Sequence, residues 1–210
     1  LGCNFANPAI TGRVFLLLSF AGDMTTWVKP FYYHGLSIGN QLSSSAGSLD
    51  LDAVTSATPL VTGTESLSNL FLGNVGGCIG ETSALALLLG GLFLIFTRVI
   101  SPSTPIAYLG SLGILTFFHA LATGGSLTEV PYALLSGGVM IGAFFMATDY
   151  VTTPITTKGK WIFGIGCGIL TFVIREFARM PEGCSFSILL MNLLTPYIDK
   201  FTMTKPLGAK

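Results

Sequence analysis

Apolar stretches of nearly bilayer length recur along this chain, separated by short breaks of Pro, Gly or charge, and that succession leaves few folds open. A hydrocarbon core of about 30 Å takes roughly 20 apolar residues per helix. Residues 82–100, 106–121, 132–148, 161–177 and 186–198 approach that length. Their boundaries are Ser101-Pro102, Gly124-Gly125, Lys158-Gly159-Lys160 and Pro181-Glu182-Gly183, all strong punctuation. Two shorter pieces, 9–20 and 67–79, do not span unaided, and the second runs into the Gly-rich segment 73–80. Irregular backbone is stable at membrane depth only inside protein or beside a cavity, so these pieces are read as broken or re-entrant, site-forming helices. The expected fold is all-α: a polytopic membrane protein with about five full transmembrane helices, one or two broken helices and a long external loop. Residues 1–210 form a single membrane domain, with the loop at 21–69 inside it.

Composition excludes several classes. Half of the residues are hydrophobic and 10% are charged, against about a quarter charged in a soluble domain. The 26 glycines suit close helix packing in lipid. Ten basic and ten acidic residues cancel, removing the positive footprint that nucleic-acid binding needs. Cys3, Cys78, Cys167 and Cys184 follow no regular pairing and contain no Cys-x-x-Cys, so neither a disulfide scaffold nor an Fe–S cluster is expected. Cys78, in Gly-Gly-Cys-Ile-Gly, is read as small-residue packing. His34 and His119 are too far apart for a metal motif, and no metal site is expected. The glycine run lacks the preceding strand and following acid of a dinucleotide loop, which favours close helix approach.

Loop charge suggests an orientation. Between Asp23 and Asn69 lie one base, Lys29, and four acids, Asp23, Asp50, Asp52 and Glu65. The turns at Arg98 and at Lys158 and Lys160 are basic, the turn at Glu129 is acidic, and the tail carries Lys200, Lys205 and Lys210. Arg175 and Arg179, beside Glu176 and Glu182, break the trend. The long loop is therefore expected outside and the C-terminus in the cytoplasm. The opening Leu-Gly-Cys-Asn-Phe-Ala-Asn-Pro-Ala reads as the middle of a longer subunit, with Pro8 in a first helical turn.

Within the loop, Asp52-Ala-Val-Thr-Ser-Ala-Thr58 resembles the flavinylation sequence Asp-x-x-Ser/Thr-Gly/Ser-Ala-Thr. In proteins bearing it, a flavin transferase moves FMN from FAD onto the last Thr hydroxyl as a phosphoester. The residue types suit that chemistry. Ser56 and Ala57 are small and leave Thr58 accessible, Thr55 fills the motif's Ser/Thr position, Asp52 offers the transferase a charge, and Pro59 favours an extended Thr58. A Ser/Thr-rich loop carrying the heptad by coincidence is the alternative.

Four further segments, Leu1-Gly-x-Asn-x-x-Asn-Pro-Ala9, Gly73-Asn-Val-Gly-Gly-Cys-Ile-Gly-Glu81, Phe145-Met-Ala-Thr-Asp149 and Ile188-Leu-Leu-Met-Asn192, stand in the order found in the NqrB/RnfD family. The chain resembles that family from Leu1 to about Phe201, most nearly the D subunit of the Rnf complex through Met146-Ala-Thr-Asp-Tyr-Val-Thr and Phe163-Gly-Ile-Gly-Cys-Gly. The resemblance implies an electron-transfer subunit of an ion-translocating ferredoxin:NAD+ oxidoreductase. Covalent FMN on Thr58 is implied at the extracytoplasmic face of a prokaryotic inner membrane. The implied partners are the G, A, E and C-type subunits, with a flavin transferase for maturation. It further implies helices ahead of Leu1, where the family builds any second flavin or quinone site. A B subunit of a Na+-translocating NADH:quinone reductase, or a transporter or channel without redox chemistry, are the alternatives. A channel has no need of an acceptor Thr.

Three charged residues remain open at this level. Glu81 lies at a helix start, where a dipole interaction competes with a place on an ion route. Asp149 either caps the turn after Met-Ala-Thr or takes part in that route. Arg13 either faces the flavin phosphate or ring or snorkels to the interface.

Overall fold

The computed structural model describes residues 6–25, 27–28, 55–56, 66–77, 82–178 and 183–203. In chain order these form α1 (Pro8–Ser19), α2 (Ala21–Thr25), β1 (Trp27–Val28), β2 (Thr55–Ser56), α3 (Leu67–Leu72) and α4 (Ala84–Phe96). There follow α5 (Ser103–Thr123), α6 (Glu129–Leu135), α7 (Val139–Met146), α8 (Thr157–Phe177) and α9 (Gly183–Thr202). The architecture is helical, and the two-residue antiparallel pair β1–β2 is the only sheet among the described residues.

The helices begin and end where local chemistry allows. Asn7 caps α1 by accepting from the Ala9 and Ile10 amides at 3.0 and 3.3 Å, with Pro8 at the first helical position, where no N–H is needed. Thr156 caps α8 through the Gly159 amide at 3.0 Å. Gly124 closes α5 in the left-handed conformation, φ 71°, its N–H returning to Ala120 O, a stop that a residue with a Cβ resists.

α5 and α8 form the centre of the packing and run parallel. A Cβ on Gly164 would meet Thr104 O and Ala107; one on Gly168 would meet Tyr108 O, Ser111 and Leu112. Farther along, His119 stands edge-on to Phe172 and 3.9 Å from Glu176. Gly164 and Gly168, four residues apart, are the small stripe that lets two helix backbones approach in lipid. α9 runs antiparallel to α8: Ser187 meets Thr171, Met191 covers Gly166 and Thr202 meets Thr156 at 2.6 Å. Ile10 of α1, Tyr108, Phe163, Cys167 and Ile188 are fully buried in the resulting core. The Tyr108 hydroxyl joins Thr171 at 2.7 Å and Cys184 Sγ at 3.1 Å, so these buried polar atoms are paired.

The spans differ from the hydropathy expectation. Among the described residues two helices, α5 and α8 at 21 residues each, are long and apolar enough to cross a membrane, and a third crossing exists if α6 and α7 count as one. That pair occupies the stretch 132–148, expected as a full helix, and is bent by 64°. The break falls at Ser136-Gly137-Gly138, with Gly137 at φ 64°, and α7 then widens into a π turn at Gly142–Met146. Exposed carbonyls at such a break need donors from elsewhere in the protein. Arg175 of α8 supplies them, donating to Ala133 O at 2.8 Å and Ser136 O at 3.1 Å, and Cys184 Sγ donates to Gly138 O at 3.3 Å. The stretch 82–100 condenses to the 13 residues of α4, ending where Thr97 turns its hydroxyl back to Phe93 O and Arg98 takes φ 59°. The stretch 186–198 lies in α9, whose inner face carries buried Ser185, Ser187, Asn192 and Thr195. The piece 9–20, expected to be too short to span, holds the 12-residue α1, which is below spanning length.

Candidate functional site

The acceptor loop enters the described structure at one place. β2 pairs antiparallel with β1, Thr55 opposite Val28 and Ser56 opposite Trp27, so the middle of the heptad is extended backbone tied to the start of the loop. Asp52, Ala57, Thr58 and Glu81 lie outside the described residues. Arg13 sits half-buried in the middle of α1. The glycine run begins with Gly73 closing α3 at φ 98°, where an added Cβ would stand 2.8 Å from Ser83 Cβ. This is the close approach that the glycine run suggests.

A second assembly, which the spacing of residues did not reveal, joins the start of α1, the turn after α7 and the middle of α9. The Asp149 carboxylate accepts from Thr152 Oγ1 at 3.0 Å and from Asn7 Nδ2 at 3.5 Å. Its own carbonyl accepts from Thr153 Oγ1 at 2.5 Å. Thr195 Oγ1 donates to Thr152 O at 3.0 Å. With its amide oriented to satisfy both ends, Asn192 donates to Thr152 O at 3.3 Å and accepts from the Asn7 amide at 3.1 Å. The turn is also fastened to the end of α9, where Asp199 Oδ1 accepts from the Ile155 amide at 3.0 Å.

The geometry gives Asp149 a turn-capping set of partners, and the corner is rich in oxygen. Among the described residues no three His, Cys, Asp or Glu side chains gather into a metal-holding group. Thr195 was not singled out in the sequence, its signal being that of one hydroxyl residue in an apolar helix, and Thr152 stood at the end of the Met146–Thr152 motif without a role of its own. Asn192 stood in a motif but carried no role until its partners were visible.

Asn7, Asp149 and Asn192 come from three separate motif segments, and the fold brings them to one corner. A family model described as the NQR2, RnfD, RnfE family matches residues 1–208. The chain belongs to that family.

Its relatives within the family are subunits of ion-translocating redox complexes. The chain is 46% identical to the D subunit of the Na(+)-translocating ferredoxin:NAD(+) oxidoreductase complex of Acetobacterium woodii, over 99% of this chain and 60% of the relative. It is 42% identical to the D subunit of the proton-translocating ferredoxin:NAD(+) oxidoreductase complex of Clostridium ljungdahlii, over 100% of this chain and 63% of the relative. It is 39% identical to the D subunit of the ion-translocating oxidoreductase complex of Stutzerimonas stutzeri, over 99% and 64% respectively. The chain thus spans about three fifths of the length of these curated relatives. Apolar helices and family membership together make it a membrane protein.

Proposed function

We propose that this chain is part of the D subunit of an Rnf-type ion-translocating ferredoxin:NAD+ oxidoreductase and carries FMN esterified to Thr58. The observation that carries the reading is the heptad Asp52–Thr58 in a chain whose D-subunit relatives reach 46% identity. The described backbone fits the group. The β1–β2 pair holds Thr55 and Ser56 extended, a form in which an enzyme reaches a neighbouring hydroxyl without first unwinding a helix. The flavin, when bound, supplies reversible electron uptake and release. The chain's own residues tether it, with Asp52, Thr55, Ser56 and Ala57 recognised during attachment. Arg13 is a candidate for contact with the flavin, and Glu81 and Asp149 are candidates for the ion route.

Charge supports an orientation. In the described structure Lys160 at the start of α8 and Lys200 at the end of α9 share one end of the bundle, while Glu129 and Glu176 lie toward the other. By the positive-inside rule the lysine end faces the cytoplasm, leaving the loop at 21–69 outside and the C-terminus inside. Arg175, which ran against the trend, is spent on the α6–α7 break. The other subunits of the complex, G, A, E and C-type, are the proposed partners. The two relatives named sodium- and proton-translocating are almost equally similar to this chain, so similarity of this degree does not select the ion.

The test is in-gel ultraviolet fluorescence of the denatured subunit, paired with the intact mass, from cells that contain a flavin transferase. The wild type glows and carries the added mass of FMN; Thr58→Ala is dark and unmodified yet assembles. A dark wild type overturns the proposal, and so does a fluorescent Thr58→Ala.

A further inference from the structure

A pocket of about 190 Å³ opens at the lysine end, between the starts of α5 and α8. Its lining includes Ser101, Thr104, Thr148, Tyr150, Thr153 and Lys160, with Ile100 and Ile155 among the apolar members. Most of the hydroxyls are committed to the wall. Thr148 donates to Phe144 O, Thr153 to Asp149 O, Tyr150 to Val99 O, and Ser101 pairs with Ser103.

Two donors are not committed. Thr104 is only 2% exposed, lines the pocket, and its hydroxyl has no hydrogen-bond partner among the described residues. The Lys160 ammonium likewise has no carboxylate or hydrogen-bond partner among them, and no acid lines the cavity. A hydroxyl that reaches the cavity without a protein partner is open to a ligand, and a lone lysine in a pocket with no acid attracts negative charge. The backbone adds to this. α5 starts at Pro102 with no side-chain cap and no acid in its first turn, and α8 also has none in its first turn. The positive ends of two 21-residue helices therefore lie beside the cavity without a neutralising carboxylate, a setting that stabilises anions.

We infer that this pocket binds a phosphate group, held by Lys160, the Thr104 hydroxyl and the start of α5, and that its source is the headgroup of an anionic phospholipid. Depth argues for the lipid. The pocket sits at the same end of both helices that are long and apolar enough to cross a membrane, which is headgroup level. Its rim carries outward-facing Tyr150 and Ile155, 74% and 80% exposed, side chains suited to the interface and to the first acyl carbons. The inference does not depend on the flavin reading.

The experiment uses the intact complex in nanodiscs of phosphatidylglycerol mixed with phosphatidylcholine. Native mass spectrometry measures retained lipid, and a second arm titrates inorganic phosphate into lipid-depleted complex. Phosphatidylglycerol is expected to be retained over phosphatidylcholine. Lys160→Gln should lower retention about ten-fold and Thr104→Val about three-fold, the scale of one charged and one neutral hydrogen bond. Lys158→Gln, outside the lining, should leave it unchanged. Phosphate binding with the same dependence on Lys160 and Thr104, but without lipid retention, supports the phosphate site and overturns the lipid source. Absence of both, or retention that ignores both substitutions, overturns the inference.

Discussion

Gly164→Ala is the sharpest probe of the packing on which the rest of the molecule depends. A Cβ at Gly164 lies 2.7 Å from both Thr104 O and Ala107 Cβ, and 3.2 Å from Tyr108 N. Ordinary contact between such atoms is about 3.5 Å or more, so α5 and α8 must separate by about 0.8 Å. None of these three atoms is the end of a flexible side chain. Overpacking of this kind costs about 1–3 kcal/mol, and the rigid neighbours favour the upper half of that range. Alanine recovers about 1 kcal/mol of helix propensity, leaving a net loss of about 1–2 kcal/mol. Two controls separate the terms. Gly110 has nothing within 4 Å of an added Cβ, so Gly110→Ala keeps only the propensity gain. Gly166 meets the Met191 thioether, Cε at 2.5 Å and Sδ at 2.6 Å, and a methionine side chain swings aside at small cost, so Gly166→Ala should be near neutral. At about 2–4 °C per kcal/mol for a chain of this size, the gap of about 2–3 kcal/mol should make Gly164→Ala melt about 4–12 °C below Gly110→Ala. Thermal melting in detergent, followed by size-exclusion chromatography of the surviving monodisperse fraction, measures the order. Equal melting of these two variants would refute the close parallel crossing.

Two other substitutions test the broken span and the polar corner. Arg175→Met removes the donors to Ala133 O and Ser136 O and should destabilise by about 2–4 kcal/mol, since each orphaned buried carbonyl costs about 1–3 kcal/mol; the same melting assay reads it. Asp149→Asn keeps an acceptor for Thr152 and should shift stability by less than about 1 kcal/mol. Under the proposed function, ion-dependent ferredoxin:NAD+ activity of the complex then separates the roles: unchanged activity assigns Asp149 to the turn, and loss without unfolding assigns it to the ion route.

Hydropathy located α5, α8 and α9, the long helices among the described residues, because the cost of placing an unpaired backbone in lipid is local and large. It misjudged continuity, because a break is decided by donors on another helix. Residues 132–148 read as one apolar run, yet the Ser136-Gly137-Gly138 break is stable because Arg175, from a helix much later in the chain, reaches its carbonyls. The piece 9–20 read as too short to span, and Asn7 and Pro8 start a helix of 12 residues that ends at Ser19. The heptad was legible for a different reason. The proposed attachment would be made by an enzyme that recognises a short extended segment, and such information is contiguous.

Family membership was therefore written in linear order, in motifs that can be read without coordinates. The polar corner of Asn7, Asp149 and Asn192 and the pocket of Thr104 and Lys160 were not, since each draws on residues from helices far apart in the chain. The corner depends on how α1, α9 and the turn after α7 meet, and the pocket on how closely α5 and α8 approach, a separation set by Gly164 and Gly168 meeting backbone across the interface. Short-range chemistry writes itself into sequence; contact between distant helices exists only after they have packed.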